Sequence, residues 1–411
     1  MGASCSLAHS GTPGYLGNVD FKGFLLIREK RLNEGIIKNV AIIVQPHQEI
    51  SNGPNRKYGG VERVVTCLIE GLLDRNVNVT LYTAKQCNID CRVIYPIGFF
   101  DGEFGGEIDP TQLATYSRKI GEDLACKNFD VINNHYDPIT FVSLQNIRTP
   151  TLTTLHGPAN EENVNTFGYS SENYFSAISQ AQKHSYPSNM NFVGVVYNSI
   201  NDNHPFSDNK RNYLISISRI LPIKGQKTAI KIATMCGLDL IIAGNSLDNE
   251  YFHEEIRPHL TRDLSKPEKQ SERRVFIDDI SKYQPDGRGI IYLGEVIEHE
   301  RDQLMKHAKA FLFPIEVEES FGLVLIEAGI VGTPAIAFDR GAIPEIIKHG
   351  KTGFYGNTID ELVGFTERAS EINPVDCREH IKKHFNNDIM VEGYLKLYRT
   401  IAATNYAKLR S

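Results

Sequence analysis

The fold class follows most directly from residues 310–338, which read AFLFPIEVEESFGLVLIEAGIVGTPAIAF. An apolar run of strand type, Ala310–Phe313, is followed by a polar turn and then by a long apolar stretch that contains Glu327, three glycines and Pro334. This pattern predicts a buried strand, a turn, a helix and a second buried strand at Ala335–Phe338. Strands joined through helices are typical of a parallel sheet with helices on its faces.

The same alternation of strand and helix signals fills most of the chain in two successive blocks. In the first block, apolar residues at helical spacing follow Gly60, residues 110–126 predict a second helix, and strands are predicted at 40–44, 77–82, 131–133, 151–155 and 192–196. In the second block, residues 223–236 predict a helix, and strands are predicted at 213–217, 238–243, 290–293, 310–313 and 335–338. The polar segment 261–288 is predicted to be a surface excursion, and the chain ends in helical patterns at 377–385 and 390–403.

The length of the chain indicates how many domains these blocks form. At 411 residues it is too long for one hydrophobic core and suits two domains. A polar connection that carries a proline, residues 196–205, separates the blocks. We therefore predict an α/β protein of two Rossmann-like, doubly wound parallel-sheet domains that face each other across a cleft. The predicted units are an extension over 1–36, a first domain over 37–198, a second domain over 199–385, and a final helix over 386–411 that crosses back to the first domain.

Composition excludes several classes of partner and site. A formal net charge of −6 disfavours nucleic acid as a partner, because such binding needs a basic face. Seven cysteines form an odd and scattered set, which favours a reducing, cytoplasmic compartment over a disulfide framework. Cys87 and Cys91 lack a second pair at zinc spacing, so no metal site is predicted there. No uninterrupted apolar run reaches the length of about 18 residues that a membrane span needs.

The amino terminus allows two interpretations. It begins Met-Gly-Ala-Ser-Cys-Ser, which fits the loose myristoylation pattern at Gly2, and Cys5 is available for palmitoylation. Residues 24–31 mix apolar and basic side chains, as a segment in peripheral contact with a membrane does. The alternative is a disordered or lightly packed extension.

Two glutamates around the predicted helix at 321–330 are the strongest candidates for chemistry. Glu319 stands just before this helix and Glu327 about two turns into it, so both can face one cleft at the carboxyl end of the preceding strand. A carboxylate can accept two hydrogen bonds from a vicinal diol, and Gly322 permits close approach of a phosphate or a sugar hydroxyl. Either glutamate could instead be a partner of the helix dipole or an exposed helix residue. Glu327 lies in an otherwise apolar helix, however, and a buried carboxylate needs partners.

Three further segments also follow predicted strands. Arg219 and Lys224 bracket a turn that opens a helix, and two cations beside a helix amino terminus favour an anion such as a diphosphate over a solvated surface charge. The pair Gly59 and Gly60 allows the backbone to pass close to a phosphate or sugar, although a tight turn explains it equally well. His156 ends a strand with Gly157 behind it, which favours a functional histidine over a packed one.

The sequence contains no Asp-x-Asp motif. A common device for holding a metal ion beside a diphosphate is therefore missing. Cationic side chains would have to neutralise a leaving diphosphate in its place. We accordingly expect neither a metal nor a cofactor.

Together these segments resemble the retaining glycosyltransferases of family 4, which have the GT-B fold. The resemblance covers about residues 38–400. The segments Tyr58-Gly-Gly-Val-Glu-Arg-Val-Val, Leu155-His-Gly-Pro and Ala177-Ile-Ser-Gln-Ala-Gln look most like the branch that includes tetrahydrobiopterin glucosyltransferases. Two positions depart from the family pattern: Ser218 stands in place of a glycine, and Asn198-Ser-Ile-Asn in place of Asn-Gly-x-Asp.

The resemblance implies a role for each candidate residue. For the nucleotide, it implies that Glu327 binds the ribose hydroxyls, that Arg219 and Lys224 bind the diphosphate, and that Val296 contacts the base. For the donor sugar, it implies contacts from His156, Glu319 and the backbone of Phe321, Gly322, Leu323 and Val324, with a further donor contact from Gly60. The acceptor side is assigned to Tyr58, Gly59 and the loop 98–106. It further implies that the leaving phosphate deprotonates the acceptor on the same face through an oxocarbenium-like state, without a protein nucleophile.

The resulting interpretation is a metal-independent hexosyltransferase that uses a nucleoside-diphosphate sugar. UDP-glucose is the first candidate donor and a guanosine donor the second, and the acceptor is a small molecule, a glycan, a lipid or a protein. Two alternatives remain: a sugar-nucleotide epimerase or hydrolase on the same fold, and an inactive module that binds a sugar nucleotide. The intact pairs Glu319/Glu327 and Arg219/Lys224 argue against the inactive module, because a dead copy need not keep them.

Overall fold

The computed structural model describes residues 35–46, 50–51, 59–98, 109–135, 138–145, 147–167, 173–246 and 248–410. These residues form two α/β domains, each built on a seven-stranded parallel sheet. The predicted architecture of two Rossmann-like domains is therefore confirmed. The predictions for the extension up to residue 34, for Tyr58 and for most of the loop 98–106 lie outside the described residues.

The sheet of the first domain has the strand order β3-β2-β1-β4-β5-β6-β7. Its members are β1 (Asn39–Ile43), β2 (Asn78–Tyr82), β3 (Arg92–Ile94), β4 (Val131–Asn134), β5 (Thr151–Thr154), β6 (Tyr174–Ala177) and β7 (Phe192–Val195). The central strands are buried because helices cover both faces of the sheet, which accounts for their nearly continuous apolar runs.

The helices of the first domain connect these parallel strands. They are α1 (Gly60–Asp74), α2 (Pro110–Ala125), α3 (Pro138–Ser143), α4 (Glu161–Phe167) and α5 (Gln180–Ser185). Helix α1 buries Val64, Leu68 and Leu72 at helical spacing against the sheet. Asp109 caps α2 by accepting a hydrogen bond from the Thr111 amide at 2.8 Å, and Pro110 occupies the first helical position.

The sheet of the second domain has the order β10-β11-β9-β8-β12-β13-β14. Its members are β8 (Tyr213–Ile217), β9 (Asp239–Ala243), β10 (Arg262–Asp263), β11 (Ile290–Tyr292), β12 (Ala310–Phe313), β13 (Ala335–Phe338) and β14 (Gly353–Gly356). The helices are α6 (Gln226–Cys236), α7 (Asn249–Tyr251), α8 (Gln270–Asp278), α9 (Glu298–His307), α10 (Leu323–Ile330), α11 (Ile343–Ile346), α12 (Ile359–Glu367) and α13 (Pro374–His384).

The polar segment 261–288 is only in part the predicted surface excursion. It supplies the edge strand β10 and the helix α8. Leu264, Ile277 and Ile280 from this segment are buried in the core of the second domain. The prediction fails here because β10 has only two residues and the apolar side chains are spread among many charged ones.

The final helix, α14 (Asn387–Arg410), packs against the first domain rather than the second. Its buried side chains Val391, Tyr394 and Tyr398 share one hydrophobic cluster with strands β1, β2 and β5 and with helix α1. The chain leaves and re-enters the first domain at adjacent points, because the Ile200 amide donates a hydrogen bond to the Phe385 carbonyl at 3.0 Å. The second domain is thus inserted between β7 and α14.

The two domains also touch through side chains at the carboxyl ends of their sheets. The Glu345 carboxylate of the second domain accepts hydrogen bonds from the amides of Gln180 and Ala181, at 2.8 and 2.7 Å, and from the Tyr197 hydroxyl at 2.7 Å. The Ser179 hydroxyl donates to the Ser320 carbonyl at 2.7 Å. Among the described residues, none of the helices is long and apolar enough to span a bilayer.

Candidate active site

A cavity of about 320 Å³ opens between the two domains, at the carboxyl ends of both sheets. This is the place where open parallel sheets bind ligands. From the first domain it is lined by Gly60 and His156, and from the second by Arg219, Lys224, Glu319, Phe321, Gly322, Leu323, Val324 and Glu327. One cavity therefore brings together most of the residues that the sequence singled out.

Some predicted residues lie elsewhere. Val296, expected to contact the base, is 8% exposed and packs in the hydrophobic core of the second domain, and it does not line the cavity. Gly59 is buried at the N-cap of α1, one residue away from the lining. Its lack of a side chain has a local cause, because a Cβ there would lie 2.6 Å from a carboxylate oxygen of Glu62.

Gly60 of the first domain lies close to Leu323 of the second. A Cβ on Gly60 would lie 3.1 Å from the Leu323 side chain of the opposite domain. Glu62, which also lines the cavity, has its pKa raised mainly by burial, while a hydrogen bond with its own backbone opposes the shift. Gly60 thus allows close packing between the domains and lines the cavity.

The turn before α10 contains Glu319, Phe321 and Gly322, three of the residues that the resemblance assigns to the donor sugar. Gly322 is the N-cap of α10 and has φ +92°, a left-handed conformation that favours glycine. The Phe321 amide donates to a Glu319 carboxylate oxygen at 3.4 Å. This hydrogen bond holds the Glu319 carboxylate close to the amino terminus of α10.

Lys224 stands directly opposite Glu319. It ends the short 3-10 helix Pro222–Lys224, and its Nζ lies 3.2 Å from a Glu319 carboxylate oxygen and 5.5 Å from the centroid of the Phe313 ring. The Lys224 side chain is 15% exposed. Gly225, with φ +73°, allows this turn to pass β12, because a Cβ there would lie 1.9 Å from the Pro314 carbonyl oxygen. A partly buried ammonium group and Arg219 therefore point to an anion at this end of the cavity.

Glu327 belongs to a buried ionic network that crosses between the domains. Its side chain is 2% exposed and forms ion pairs with Arg63 of α1 and, at 3.4 Å, with Arg301 of α9. Arg301 also lies 3.6 Å from Asp302, whose second oxygen is 2.7 Å from His204 Nδ1. Two arginines thus balance two carboxylates, as a buried carboxylate requires.

Arg63 and Arg301 are not among the predicted site residues. The burial expected for Glu327 signalled that cationic partners must exist, but nothing in the sequence identified them. Arg63 lies within the quoted glycine segment, one helical turn after Gly60, and therefore faces the same cleft. Nothing in the sequence around Arg301 marks it as a site residue, because α9 is polar over most of its length.

His156 lines the cavity and is paired with a second histidine behind it. His156 Nε2 lies 2.9 Å from Nδ1 of His135, which follows β4, and the two rings stack with centroids 5.2 Å apart. Burial lowers the pKa of His156 to about 4. Burial and the neighbouring His156 lower the pKa of His135 well below its usual value. Both rings are consequently neutral at physiological pH.

Two family models match the chain on either side of the domain boundary. Residues 58–191 match the family described as Glycosyltransferase Family 4, and residues 199–363 match the family described as Glycosyl transferases group 1. Two solved structures that share this two-domain architecture are a glycosyltransferase of Avilamycin A biosynthesis and a glycosyltransferase from Rickettsia africae. The chain is a glycosyltransferase with the GT-B fold. The matches to both family models and the structural neighbours support a glycosyltransferase of the family 4 type.

Individual relatives are distant. The glycosyltransferase is 24% identical over 331 residues to N-acetyl-alpha-D-glucosaminyl L-malate synthase of Bacillus anthracis, an alignment that covers 70% of this chain and 79% of that protein. Sucrose-phosphate synthase from Thermosynechococcus elongatus superposes with a TM-score of 0.65 at 17% identity, covering 89% of this chain and all of that one. Anabaena HepE, solved with UDP and glucose, superposes with a TM-score of 0.61 at 17% identity, covering 87% and 98%. At these identities the structural matches establish the fold of the glycosyltransferase alone.

Proposed function

We propose that this glycosyltransferase is a retaining hexosyltransferase that takes its sugar from a nucleoside diphosphate. The observation that carries the proposal is the interdomain cavity, which is lined by three cationic side chains, Arg63, Arg219 and Lys224, and three carboxylates, Glu62, Glu319 and Glu327. Arg219 and Lys224 provide positive charge at one end, and Glu319 and Glu327 provide acceptors along the α10 side. UDP-glucose is the first candidate donor, supported by the complex of Anabaena HepE with UDP and glucose, and a guanosine donor is the second.

The cationic end suits the diphosphate. Phosphate oxygens gain charge as the bond to the sugar breaks, and fixed cations in a partly buried site stabilise that charge effectively. The ammonium of Lys224 is held by Glu319 and the Phe313 ring, so little reorganisation is needed when the anion arrives. Arg219, at the end of β8, adds a second cation on the same side.

The carboxylates suit the two hydroxyl-rich parts of a sugar nucleotide. Glu319 lies beside Lys224 and the α10 turn, where the transferred hexose would border the diphosphate. Glu327 lies deeper and would accept the ribose hydroxyls. In the ligand-free protein its carboxylate is held by Arg63 and Arg301, so ribose binding must compete with or add to those ion pairs.

We infer a transfer step that needs no protein nucleophile. The bond between the anomeric carbon and the phosphate oxygen breaks, and the acceptor oxygen bonds to the same face of that carbon. The acceptor proton passes to the leaving phosphate oxygen. His156 is neutral and would donate a hydrogen bond to the sugar rather than act as an acid.

The experiment that tests the function incubates the full chain with nucleotide sugars, first alone and then with acceptors. A thermal-shift panel would identify the donor, because specific binding raises stability by mass action. Acceptors would include small molecules such as L-malate, suggested by the Bacillus anthracis relative, together with glycans and lipids. Transfer supports the proposal, whereas hydrolysis or epimerisation of the donor alone, or binding without turnover, supports one of the two alternative functions.

We expect catalysis to be independent of a divalent metal, because Arg219 and Lys224 line the cavity and the sequence lacks an Asp-x-Asp motif. Activity should survive excess chelator, measured as product formed per minute before and after dialysis against it. Complete loss of activity that returns on addition of manganese or magnesium would contradict this expectation.

Replacing Glu319 with glutamine is expected to lower turnover and to leave binding of the bare nucleoside diphosphate nearly unchanged. The carboxylate contacts Lys224 and lies at the sugar end, so its contribution should appear mainly in the transition state. A lost hydrogen bond to a charged group costs about 1.5–3 kcal/mol, which corresponds to roughly 10–150-fold in kcat. Steady-state kinetics and calorimetry with UDP would measure both quantities.

The matched control for Glu319 is Glu316, an exposed glutamate in the same loop that accepts a hydrogen bond from Thr228 at 3.2 Å. Glu316→Gln should change neither turnover nor UDP affinity. If Glu319→Gln abolished UDP binding, the role assigned to Glu319 would be wrong.

A further inference from the structure

A line of polar side chains runs along one face of the first domain's sheet and ends at the cavity. In the parallel register Asn133 pairs with Leu152, and Thr154 pairs with Ser176. Side chains two residues apart along a strand share a face, as do directly paired residues of neighbouring strands. Asn133, Thr154 and Ser176 therefore lie on the same face as His135 and His156, which continue their strands toward the cleft.

These five side chains are joined by consecutive hydrogen bonds. The Thr154 hydroxyl donates to Asn133 Oδ1 at 3.2 Å and lies 2.9 Å from the Ser176 hydroxyl. The Asn133 side-chain amide contacts His135 Nε2, and His135 Nδ1 lies 2.9 Å from His156 Nε2. All except His156 are buried, with His135 3% exposed.

The direction of each bond follows from the chemistry of the groups. The oxygen of Asn133 is occupied by Thr154, so its NH₂ group faces His135 and can only donate. His135 Nε2 must then accept, which places the hydrogen of the neutral ring on Nδ1. That hydrogen is donated to His156 Nε2, and the hydrogen of His156 must therefore be on its own Nδ1.

We propose that His135 is a positioning residue, which together with Asn133 fixes His156 as the neutral Nδ1–H tautomer. His156 thereby offers one N–H donor and no positive charge to an oxygen of the substrate. That this oxygen belongs to the donor sugar rests on the proposed function. The tautomer assignment itself rests only on the hydrogen-bonded chain.

The chain also keeps His156 from becoming charged. Protonation at Nε2 would direct two N–H groups at each other across the contact with His135. The depressed pKa values of both histidines agree with this geometry, so His156 stays neutral until the pH falls to about 4. The other charged groups that line the cavity with His156 are Glu62, Arg63, Arg219, Lys224, Glu319 and Glu327. Behind the pair, His135 contacts the uncharged ring of Tyr394 on α14, at 5.9 Å between centroids.

The test is NMR of the full chain with ¹⁵N-labelled histidine, without ligand, with His156 assigned through His156→Gln. The expected result is the Nδ1–H tautomer for His156 and no titration between pH 5 and 8. In His135→Leu, which removes the donor, burial still keeps the pKa of His156 low, but Nε2 loses the hydrogen bond that it accepts. The Nε2–H tautomer of His156 should therefore become populated beside the Nδ1–H tautomer. In His135→Asn the amide nitrogen can take the place of Nδ1–H, so the wild-type tautomer should return.

Two results would overturn the proposal: the Nε2–H tautomer of His156 in the wild-type protein, or an unchanged Nδ1–H tautomer of His156 in a folded His135→Leu variant. The wild-type tautomer is measured without any substitution, so the proposal can be refuted even if His135→Leu does not fold. Because this measurement uses no substrate, it is independent of the proposed function. Absence of sugar transfer by the wild-type chain would count against the proposed function alone.

Discussion

Replacing Lys224 with methionine is expected to lower kcat by a factor of about 10²–10³, the loss typical when one preorganised group is removed from developing negative charge. Methionine retains much of the apolar stem that lies over the Phe313 ring but removes the ammonium group. Charge on the leaving diphosphate would then be neutralised by Arg219 alone on this side of the cavity. Steady-state kinetics with saturating donor and acceptor would measure the change.

Lys227 is the matched control for Lys224. It lies at the start of α6, directly after the turn that carries Lys224, and its exposed ammonium pairs with Glu255 at 2.6 Å. Lys227→Met should therefore leave kcat unchanged. If Lys224→Met kept full turnover, the diphosphate would have to bind elsewhere and the proposed mechanism would be wrong.

The second large effect is expected from Glu327→Ala, which should reduce both stability and nucleotide affinity. Removing one partner of a buried ion pair typically costs about 3–5 kcal/mol, because the remaining charge is left uncompensated. Here Arg63 and Arg301 both lose the ion pair with Glu327 at once, while Arg301 remains 3.6 Å from Asp302. The lost contact with the ribose should weaken UDP binding by roughly 10–150-fold. Urea unfolding and calorimetry would measure the two losses separately.

A double variant separates these two contributions. Arg301→Met combined with Glu327→Ala removes one of the two cations that lost the ion pair with Glu327, so part of the free energy of unfolding should return while UDP affinity stays low. Glu316→Ala, at an exposed position, should change stability by no more than about 0.5 kcal/mol. Wild-type UDP affinity in Glu327→Ala would show that this carboxylate does not bind the nucleotide.

The parts of the fold that could be predicted are those where burial imposes a pattern. Strands such as Tyr213–Ile217 and Ala310–Phe313 are covered on both faces, and their continuous apolar runs match the observed bounds. No comparable signal predicted β3, β6, β10 and β14. The strands β3 and β10 are short edge strands with incomplete burial, and β14 contains two glycines in four residues.

The site residues that could be predicted are those that come shortly after a strand. Arg219, His156 and Glu319 each follow a strand, and parallel strands bring their carboxyl ends to one edge. The supporting residues Arg63, Arg301 and His135 could not be identified in this way. Each acts through a partner far away in the sequence, and only the assembled sheets and the contact between the domains define that pairing.

The insertion of the second domain between β7 and α14 determines the order in which the protein can fold during synthesis. The first domain cannot complete its core until residues 387–402 have left the ribosome, because Val391, Tyr394 and Tyr398 fill it. The second domain is contiguous in sequence, so it can fold while the first still waits for its last helix. The domain made first is therefore the one finished last. Until then, the apolar residues of the first domain that this helix covers stay exposed on the nascent chain.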